Sequence, residues 1–304
     1  MRLAAIDIGS NAVRLLIQDV MRSADGQLHR KKISFTRVPI RLGEDVFATG
    51  VISEEKAAAL TKAMKAFWYL MDLNGVEHFR ACATSAMREA QNGQAVADQI
   101  FHQANLHIDL IPGQVEADLI FGTLGTSDLL SDYLAHDLLY IDVGGGSTEI
   151  TLIRGGERQR SASFLLGTVR SMQNMTPDNE WQAVEAFLHS VRGEIEPSKD
   201  RPLLAVGTGG NINRYHRLSR AGRGEPIPAK QLKKLFSELA SLTYEERIEK
   251  HGLKPDRADV ILPAGEIYLK VMELASCKGI IVPKVGLTDG IILSLFEEAM
   301  PAMA

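Results

Sequence analysis

Two short stretches constrain this chain more than any others: Ile6-Asp7-Ile8-Gly9-Ser10-Asn11 and Ile141-Asp142-Val143-Gly144-Gly145-Gly146-Ser147. In each, an apolar β-prone run ends in a carboxylate, a glycine turn follows, and a second apolar run begins. An acid at the tip of a buried strand is costly unless something pairs with it. The two stretches echo one another with an offset of one glycine, and the strand pair after the turn repeats as well. A self-similar start in each half predicts a duplicated α/β architecture: two domains, each opening with an Asp-tipped β-hairpin. The boundary is expected near 125–137, where Gly125-Thr126-Ser127-Asp128 and Ser131-Asp132 weaken the helical pattern. That gives domains of 1–127 and 128–304, with the last helix left free to pack back on the first domain. Ligands of two-domain α/β proteins usually lie between the domains or at sheet crevices, so two facing Asp-Gly hairpins are expected to line an interdomain cleft.

The remaining pattern supplies helices and strands around the hairpins. A third strand is expected over Lys31–Val38 after the Asp25-Gly26 turn. Ser53 followed by Glu54 and Glu55 opens a helix whose apolar positions Ala57, Leu60, Met64, Phe67 and Met71 recur at three or four residues. Asn74-Gly75 ends it. Short strands are expected over Phe79–Ala83, His107–Ile111, Leu138–Val143, Glu149–Ile153, Leu203–Val206 and Gly279–Val282. Helices are expected over Gln94–Asn105, Gln114–Leu124, Trp181–Val191, Gln231–Leu242 and Asp259–Ala275, with a last one after Leu287-Thr288-Asp289-Gly290.

Composition excludes several classes. A net charge of −4 means no global field draws in polyanions, so any anionic ligand must be held by a local patch. The 2 cysteines, Cys82 and Cys277, argue against a disulfide framework or a Cys-type zinc site and fit a reducing compartment. The first segment is broken by Asp7, Asn11 and Arg14, so it reads as neither a signal peptide nor a membrane span. A cytoplasmic protein with no membrane or nucleic-acid partner is expected. No histidine pair has metal-ligand spacing.

Three glycine loops are candidates for holding phosphate. In Gly144-Gly145-Gly146-Ser147-Thr148 the glycines let backbone amides converge on one oxyanion, and the hydroxyls add donors. A lone triple glycine would read as a flexible turn; the echo at Gly9-Ser10-Asn11 raises the phosphate reading above it. Neither is a P-loop or a dinucleotide fingerprint, because both lead into strands. Gly207-Thr208-Gly209-Gly210 follows a short strand and precedes a helix, whose free amides suit an anion. After it, Arg214, Arg217, Arg220 and Arg223 recur every third residue. The first three are expected along one helical edge, as a track for further phosphates or as a solvated face. Asp142 with Glu149 fits magnesium, which takes one or two carboxylates, waters and substrate phosphates. For Asp7, a ligand role and a turn cap both stay open. Arg88 offers a fork suited to phosphate, although by spacing its segment is an ordinary strand-to-helix junction. Glu116 sits in a helical first turn, where acids usually serve the dipole.

Taken together, these motifs resemble one family. Ile6-Asp7-Ile8-Gly9-Ser10-Asn11, Thr84-Ser85-Ala86-Met87-Arg88 with Asn92, Gly113-Gln114-Val115-Glu116-Ala117, Asp142 to Glu149 and Gly207-Thr208-Gly209-Gly210 stand in the order seen in the exopolyphosphatase / guanosine pentaphosphate phosphohydrolase family. Arg257-Ala258-Asp259-Val260-Ile261 and Gly286-Leu287-Thr288-Asp289-Gly290 resemble its C-terminal segments. The resemblance covers nearly the whole chain. It implies two ribonuclease-H-like domains of the actin-like ATPase superfold, and the magnesium-dependent removal of terminal phosphoryl groups. It also implies roles by position: Glu116 as the essential glutamate, Asp142 and Glu149 at the metal, and Arg88 on phosphate. The loops Gly9-Ser10-Asn11 (with Asp7), Gly144 to Ser147 and Gly207 to Gly210 would hold the phosphates. Family members are often dimers. This chain departs from the family at Val115, where a second glutamate is common, and at Asp118 and Thr288, where arginines are common, and it is expected to be a short form without the HD-like C-terminal domains of longer members.

The expectation is therefore a homodimeric, cytoplasmic phosphoanhydride hydrolase acting on polyphosphate or guanosine pentaphosphate. Two rivals come from other classes: a kinase or ATPase of the same superfold, and a non-catalytic sensor of polyphosphate or guanosine tetraphosphate.

Overall fold

The computed structural model describes residues 1–124, 133, 136–195 and 202–300. They form two compact units, one made of 1–124 with 285–300 and the other of residues up to Lys284. The boundary expected at 127/128 lies outside the described residues.

The first unit begins with an antiparallel meander of β1 (Arg2–Ile8), β2 (Val13–Arg22) and β3 (Leu28–Val38). Helices α1 (Leu42–Thr49) and α2 (Glu54–Leu73) precede β4 (His78–Ala83). Then come α3 (Ser85–Glu89), α4 (Gly93–Ala104), β5 (Asp109–Leu110) and α5 (Gly113–Leu124). The sheet order is β3-β2-β1-β4-β5, with β4 and β5 parallel to their inner neighbours. Central β1 is buried from Leu3 to Ile8, which is why it reads as a continuous apolar run rather than an alternating one. In α2, the Ser53 hydroxyl accepts from the Lys56 amide at 3.3 Å, and Ala57, Leu60, Met64, Phe67 and Met71 are all buried.

The second unit repeats the plan. β6 (Leu138–Val143), β7 (Thr148–Arg154) and β8 (Glu157–Phe164) form a meander, followed by α6 (Thr168–Met172), α7 (Glu180–Arg192), β9 (Leu204–Thr208) and α8 (Gly210–Ser219). Next are β10 (Ile227–Pro228), α9 (Ala229–Ala240), α10 (Tyr244–His251), α11 (Pro255–Ala258), α12 (Ile261–Ala275) and β11 (Gly279–Ile281). The sheet runs β10-β11-β9-β6-β7-β8. Without its short edge strand β10, it has the first sheet's order and directions. Even the irregularities match: the pairing slips between Ile17 and Gln18 in β2, and at the corresponding step between Leu152 and Ile153 in β7. Each unit is thus a ribonuclease-H-like α/β domain, as expected from the repeated hairpin.

Several elements had no clear sequence signal. β8 reads Glu-Arg-Gln-Arg-Ser-Ala-Ser-Phe, a largely exposed edge strand held by pairing with β7 rather than by apolar burial. α10 buries no side chain and rests on a complete capping box between Thr243 and Glu246. The strand expected over His107–Ile111 shortens to two residues.

The sequence reading left the last helix free to pack back on the first domain. The last helix, α13 (Leu287–Ala299), belongs to the first unit, where Leu287, Ile291, Ile292, Leu295 and Phe296 face β1, β2, β4 and α5. Its approach to α5 is set by Gly290, where an added Cβ would lie 2.1 Å from the Leu119 carbonyl oxygen. Backbone cannot yield as a flexible side chain can, so Gly290→Ala should cost about 1–3 kcal/mol, the usual range for overpacking. A denaturant or thermal midpoint indistinguishable from wild type would refute this packing role.

Candidate active site

Aligned on their ladders, the two hairpins match without any offset. Gly9 donates to the Ala12 carbonyl at 3.2 Å, and Gly144 donates to the Ser147 carbonyl at 2.9 Å. Each loop therefore spans four residues, and the offset of one glycine expected from the sequence disappears. What differs is the residue directly across from the aspartate. Asp7 on β1 faces Arg14 on β2, whereas Asp142 on β6 faces Glu149 on β7. The first hairpin is neutralised internally, because Arg14 hydrogen-bonds and ion-pairs with the buried Asp7 carboxylate. The second places two carboxylates at one register position.

Glu149 is only 3% exposed, and its Oε1 accepts from the Ser147 hydroxyl at 2.8 Å and the Ser163 hydroxyl at 2.9 Å. Both bonds favour the carboxylate over the acid. Two like charges on a largely buried sheet end suit a bound cation. Among the described residues no group of three or more His, Cys, Asp or Glu side chains assembles a metal cage. A two-carboxylate site with remaining positions for water and phosphate is the donor set magnesium takes, and it does not suit structural zinc.

The triple glycine is held from one side by α6. The Thr168 amide donates to Gly144 O at 3.0 Å, the Val169 amide to Gly145 O at 2.9 Å, and Arg170 Nε to Gly146 O at 2.9 Å. A trans peptide points its N–H opposite to its C=O. Fixing these three carbonyls on α6 turns the amides of Gly145, Gly146 and Ser147 to the other side, as an anion nest requires. The brace needs Gly167, where a Cβ would sit 2.3 Å from the Gly145 carbonyl oxygen. The first unit has a counterpart: after β3, the Gly43 amide donates to Ser10 O at 2.8 Å and the Arg41 amide to Asn11 O at 3.0 Å.

The third loop adjoins the second. Gly209, at φ 105°, precedes α8 in a conformation that side chains resist. A Cβ there would lie 3.3 Å from Asp142 Oδ1. The Arg257 guanidinium lies over Gly210, where a Cβ would sit 2.2 Å from its Nη1 and push it aside. The basic track is shorter than expected. Arg214 is half-buried and Arg217 exposed on α8, but Arg220 is its left-handed C-cap and leaves the helical edge. Burial, then the charge of Arg217, lowers the Arg214 pKa.

In the first unit, Arg88 Nη1 donates to the Ile111 carbonyl at 2.8 Å, just before the helix that carries Glu116. Glu116 is half-buried in the first turn of α5. Burial foremost, then the charge of Asp109 and lesser effects of Asp7 and Glu116, push the Cys82 thiol up to about 12. Cys82 is thus a neutral thiol within electrostatic reach of Glu116. Val115 is exposed, and Asp118 accepts from Gln114 at 3.1 Å, so both departures lie on the outer side of α5. Asn92 clips Ile52 through two backbone bonds, Ile52 N–H to Oδ1 at 2.9 Å and Nδ2 to Ile52 O at 2.8 Å.

The sequence reading assigned no role to Arg14, Gly167, Arg170 or Arg257. A zero-offset alignment of the two hairpins would have exposed Arg14 as the counterpart of Glu149. For Gly167 the signal is the Leu-Gly pair shared by Leu42-Gly43 and Leu166-Gly167, which opens α1 and directly precedes α6.

Two ribonuclease-H-like units with matched glycine hairpins define a protein of the actin-like ATPase fold. Residues 20–299 match the Ppx/GppA phosphatase family, and the chain belongs to that family. It is 31% identical to Exopolyphosphatase 2 of Mycobacterium tuberculosis over 97% of this chain and 98% of that one. It is 27% identical to Exopolyphosphatase 1 of the same organism, over 96% of this chain and 88% of that one. Among solved structures, the Aquifex aeolicus Ppx/GppA family member superposes with a TM-score of 0.75 at 25% identity, covering 99% of both chains. An exopolyphosphatase from Cytophaga hutchinsonii shares the fold, with a TM-score of 0.82 at 22% identity over 98% of both chains.

The α6 brace can be tested without altering any anion-facing group. Gly167→Ala should leave the protein folded and weaken tripolyphosphate binding by about tenfold or more, since small displacements of a positioned site carry costs of that order. Calorimetric titration showing unchanged affinity would contradict the brace.

Proposed function

We propose that this chain is a magnesium-dependent exopolyphosphatase that releases orthophosphate from the end of polyphosphate. The observation that supports this best is the outward-turned amide set of Gly145, Gly146 and Ser147 beside the Asp142–Glu149 carboxylate pair. Membership of a phosphatase family and likeness to two mycobacterial exopolyphosphatases point the same way.

In this reading the amides of Gly145 to Ser147, those of Gly9-Ser10-Asn11, and the Gly207 to Gly210 loop at the start of α8 bind phosphoryl oxygens. Arg88 supplies a cationic fork for phosphate, and Arg214 and Arg217 hold phosphates further along the chain. Asp142 and Glu149 hold Mg²⁺, which supplies charge neutralisation at the phosphoryl oxygens when bound. Glu116 orients the attacking water and accepts its proton. The water oxygen bonds to the terminal phosphorus, the bridging P–O bond breaks, and the shortened chain leaves with that oxygen. Phosphoryl transfer asks for positioning and charge stabilisation more than for covalent help, so amides, one cation and one base suffice. The same reading makes the protein a cytoplasmic homodimer with no nucleic-acid or membrane partner. The net charge is −4, and among the described residues no helix is long and apolar enough to cross a membrane.

Phosphate release should be measured from polyphosphate of defined length, from guanosine pentaphosphate and from ATP, with Mg²⁺ and with EDTA. Magnesium-dependent release mainly from polyphosphate is the expected result. Preference for guanosine pentaphosphate would reassign the substrate, preference for ATP would favour an ATPase, and no release from any of them would favour a sensor. Glu116→Gln should lower kcat by about 10²–10⁴-fold, the span general-base catalysis covers, while leaving binding nearly intact. A fully active variant would remove Glu116 from that role.

A further inference from the structure

We propose that Tyr268 is a positioning residue that sets the spacing between the Asp142–Ser147 loop and the Gly207–Gly210 loop. It sits in α12, far along the chain from both, and is 1% exposed. Its hydroxyl accepts from the Val143 amide at 3.3 Å and donates to the Thr208 carbonyl. One phenol oxygen therefore ties the last peptide of β6 to the last residue of β9. These are the residues from which the two loops depart.

The surrounding contacts show why this spacing matters. Asp142 and Thr208 are register partners across β6 and β9. Beyond that pair the ladder ends and the two backbones diverge into glycine, with no further strand hydrogen bonds to hold them. A Cβ on Gly209 would lie 3.3 Å from Asp142 Oδ1, 3.3 Å from Val143 O and 3.9 Å from the Tyr268 hydroxyl. The staple thus sits at the junction of carboxylate, glycine loop and helix start. A second phenol supports it from the sheet: the Tyr140 hydroxyl shares a 2.7 Å hydrogen bond with Thr208 Oγ1. Thr208 is held by Tyr268 through its carbonyl and by Tyr140 through its side chain.

Removing a buried hydroxyl that satisfies two backbone groups at once leaves both to find other partners. Phenylalanine keeps the ring, so Tyr268→Phe removes the tie while preserving the packing of α12. Tyr268 touches no phosphate in this reading and acts through the two loops. The inference rests on the proposal that those loops hold phosphate and a divalent cation, and the experiment separates the two ideas.

Tyr268→Phe should be compared with Tyr215→Phe. Tyr215 is an equally buried phenol whose hydroxyl donates to the Ile261 carbonyl at 3.2 Å rather than to a backbone group of either loop. Both variants should lose a similar amount of thermal stability. Only Tyr268→Phe should speed amide hydrogen exchange at Val143 and across 207–210, weaken Mg²⁺ binding measured by calorimetry, and lower kcat on polyphosphate by about tenfold with a smaller change in KM. Equal exchange and equal Mg²⁺ affinity in the two variants would overturn the staple. If the wild-type protein releases no phosphate from any substrate, the functional proposal fails, and hydrogen exchange and Mg²⁺ binding still decide the role of Tyr268.

Discussion

A carboxylate at the end of a central, buried β-strand must be compensated, and the two ways this chain does so set the character of its two units. In the first, Arg14 stands directly across the hairpin from Asp7 and ion-pairs with it. In the second, the same register position holds Glu149 opposite Asp142. Serine hydroxyls hold Glu149 in place, but they do not remove the doubled negative charge. Two carboxylates at one register position make this end of the sheet a candidate place for a cation. One residue at one cross-strand position separates a structural hairpin from a candidate metal hairpin on otherwise matching scaffolds.

Around that charge the second unit is organised to keep backbone fixed. Glycine loops are soft, and softness is a poor property in a site that works by electrostatic preorganisation. The triple-glycine loop is made stiff from outside, its carbonyls taken up by Thr168, Val169 and Arg170. The loop after β9 is tied down by two buried phenols, and burial foremost, with the charge of Asp142, pushes both of their pKa values well up. They remain neutral donors at any physiological pH. The glycines serve to remove side chains from the anion's path, and neighbouring elements supply the rigidity that glycine lacks.

The same fold is shared by proteins at low identity, and a shared fold does not carry a function by itself. The groups this chain offers as candidates are a carboxylate pair and loop amides in the second unit and a first-turn glutamate in the first. Val115 and Asp118, the departures beside Glu116, lie on the outer side of α5. They leave the helix that carries the glutamate intact, and their weight falls on whatever approaches that side.

Sequence alone determined the duplication, because an acid after an apolar strand and before glycine is rare enough to be visible when it recurs. It also determined most strands and helices, since their apolar periods reflect burial on one face or two. The three glycine loops, Asp142 with Glu149, and through family resemblance Arg88 and Glu116, could be named as candidates for the same local reason: each is a short motif. Only the tertiary structure decided what depends on pairing across distance. The opposition of Asp7 to Arg14 is a property of ladder register, and a one-glycine misalignment of the hairpins hides it. The return of α13 to the first unit follows from an apolar face that the sequence displays without naming its partner. Arg220 leaves the helix edge because α8 ends one residue earlier, in a left-handed cap that three-residue spacing cannot reveal. The clasps at Gly167, Arg170 and Tyr268 join residues far apart in the chain, and local composition holds no trace of which backbone group a distant side chain will meet.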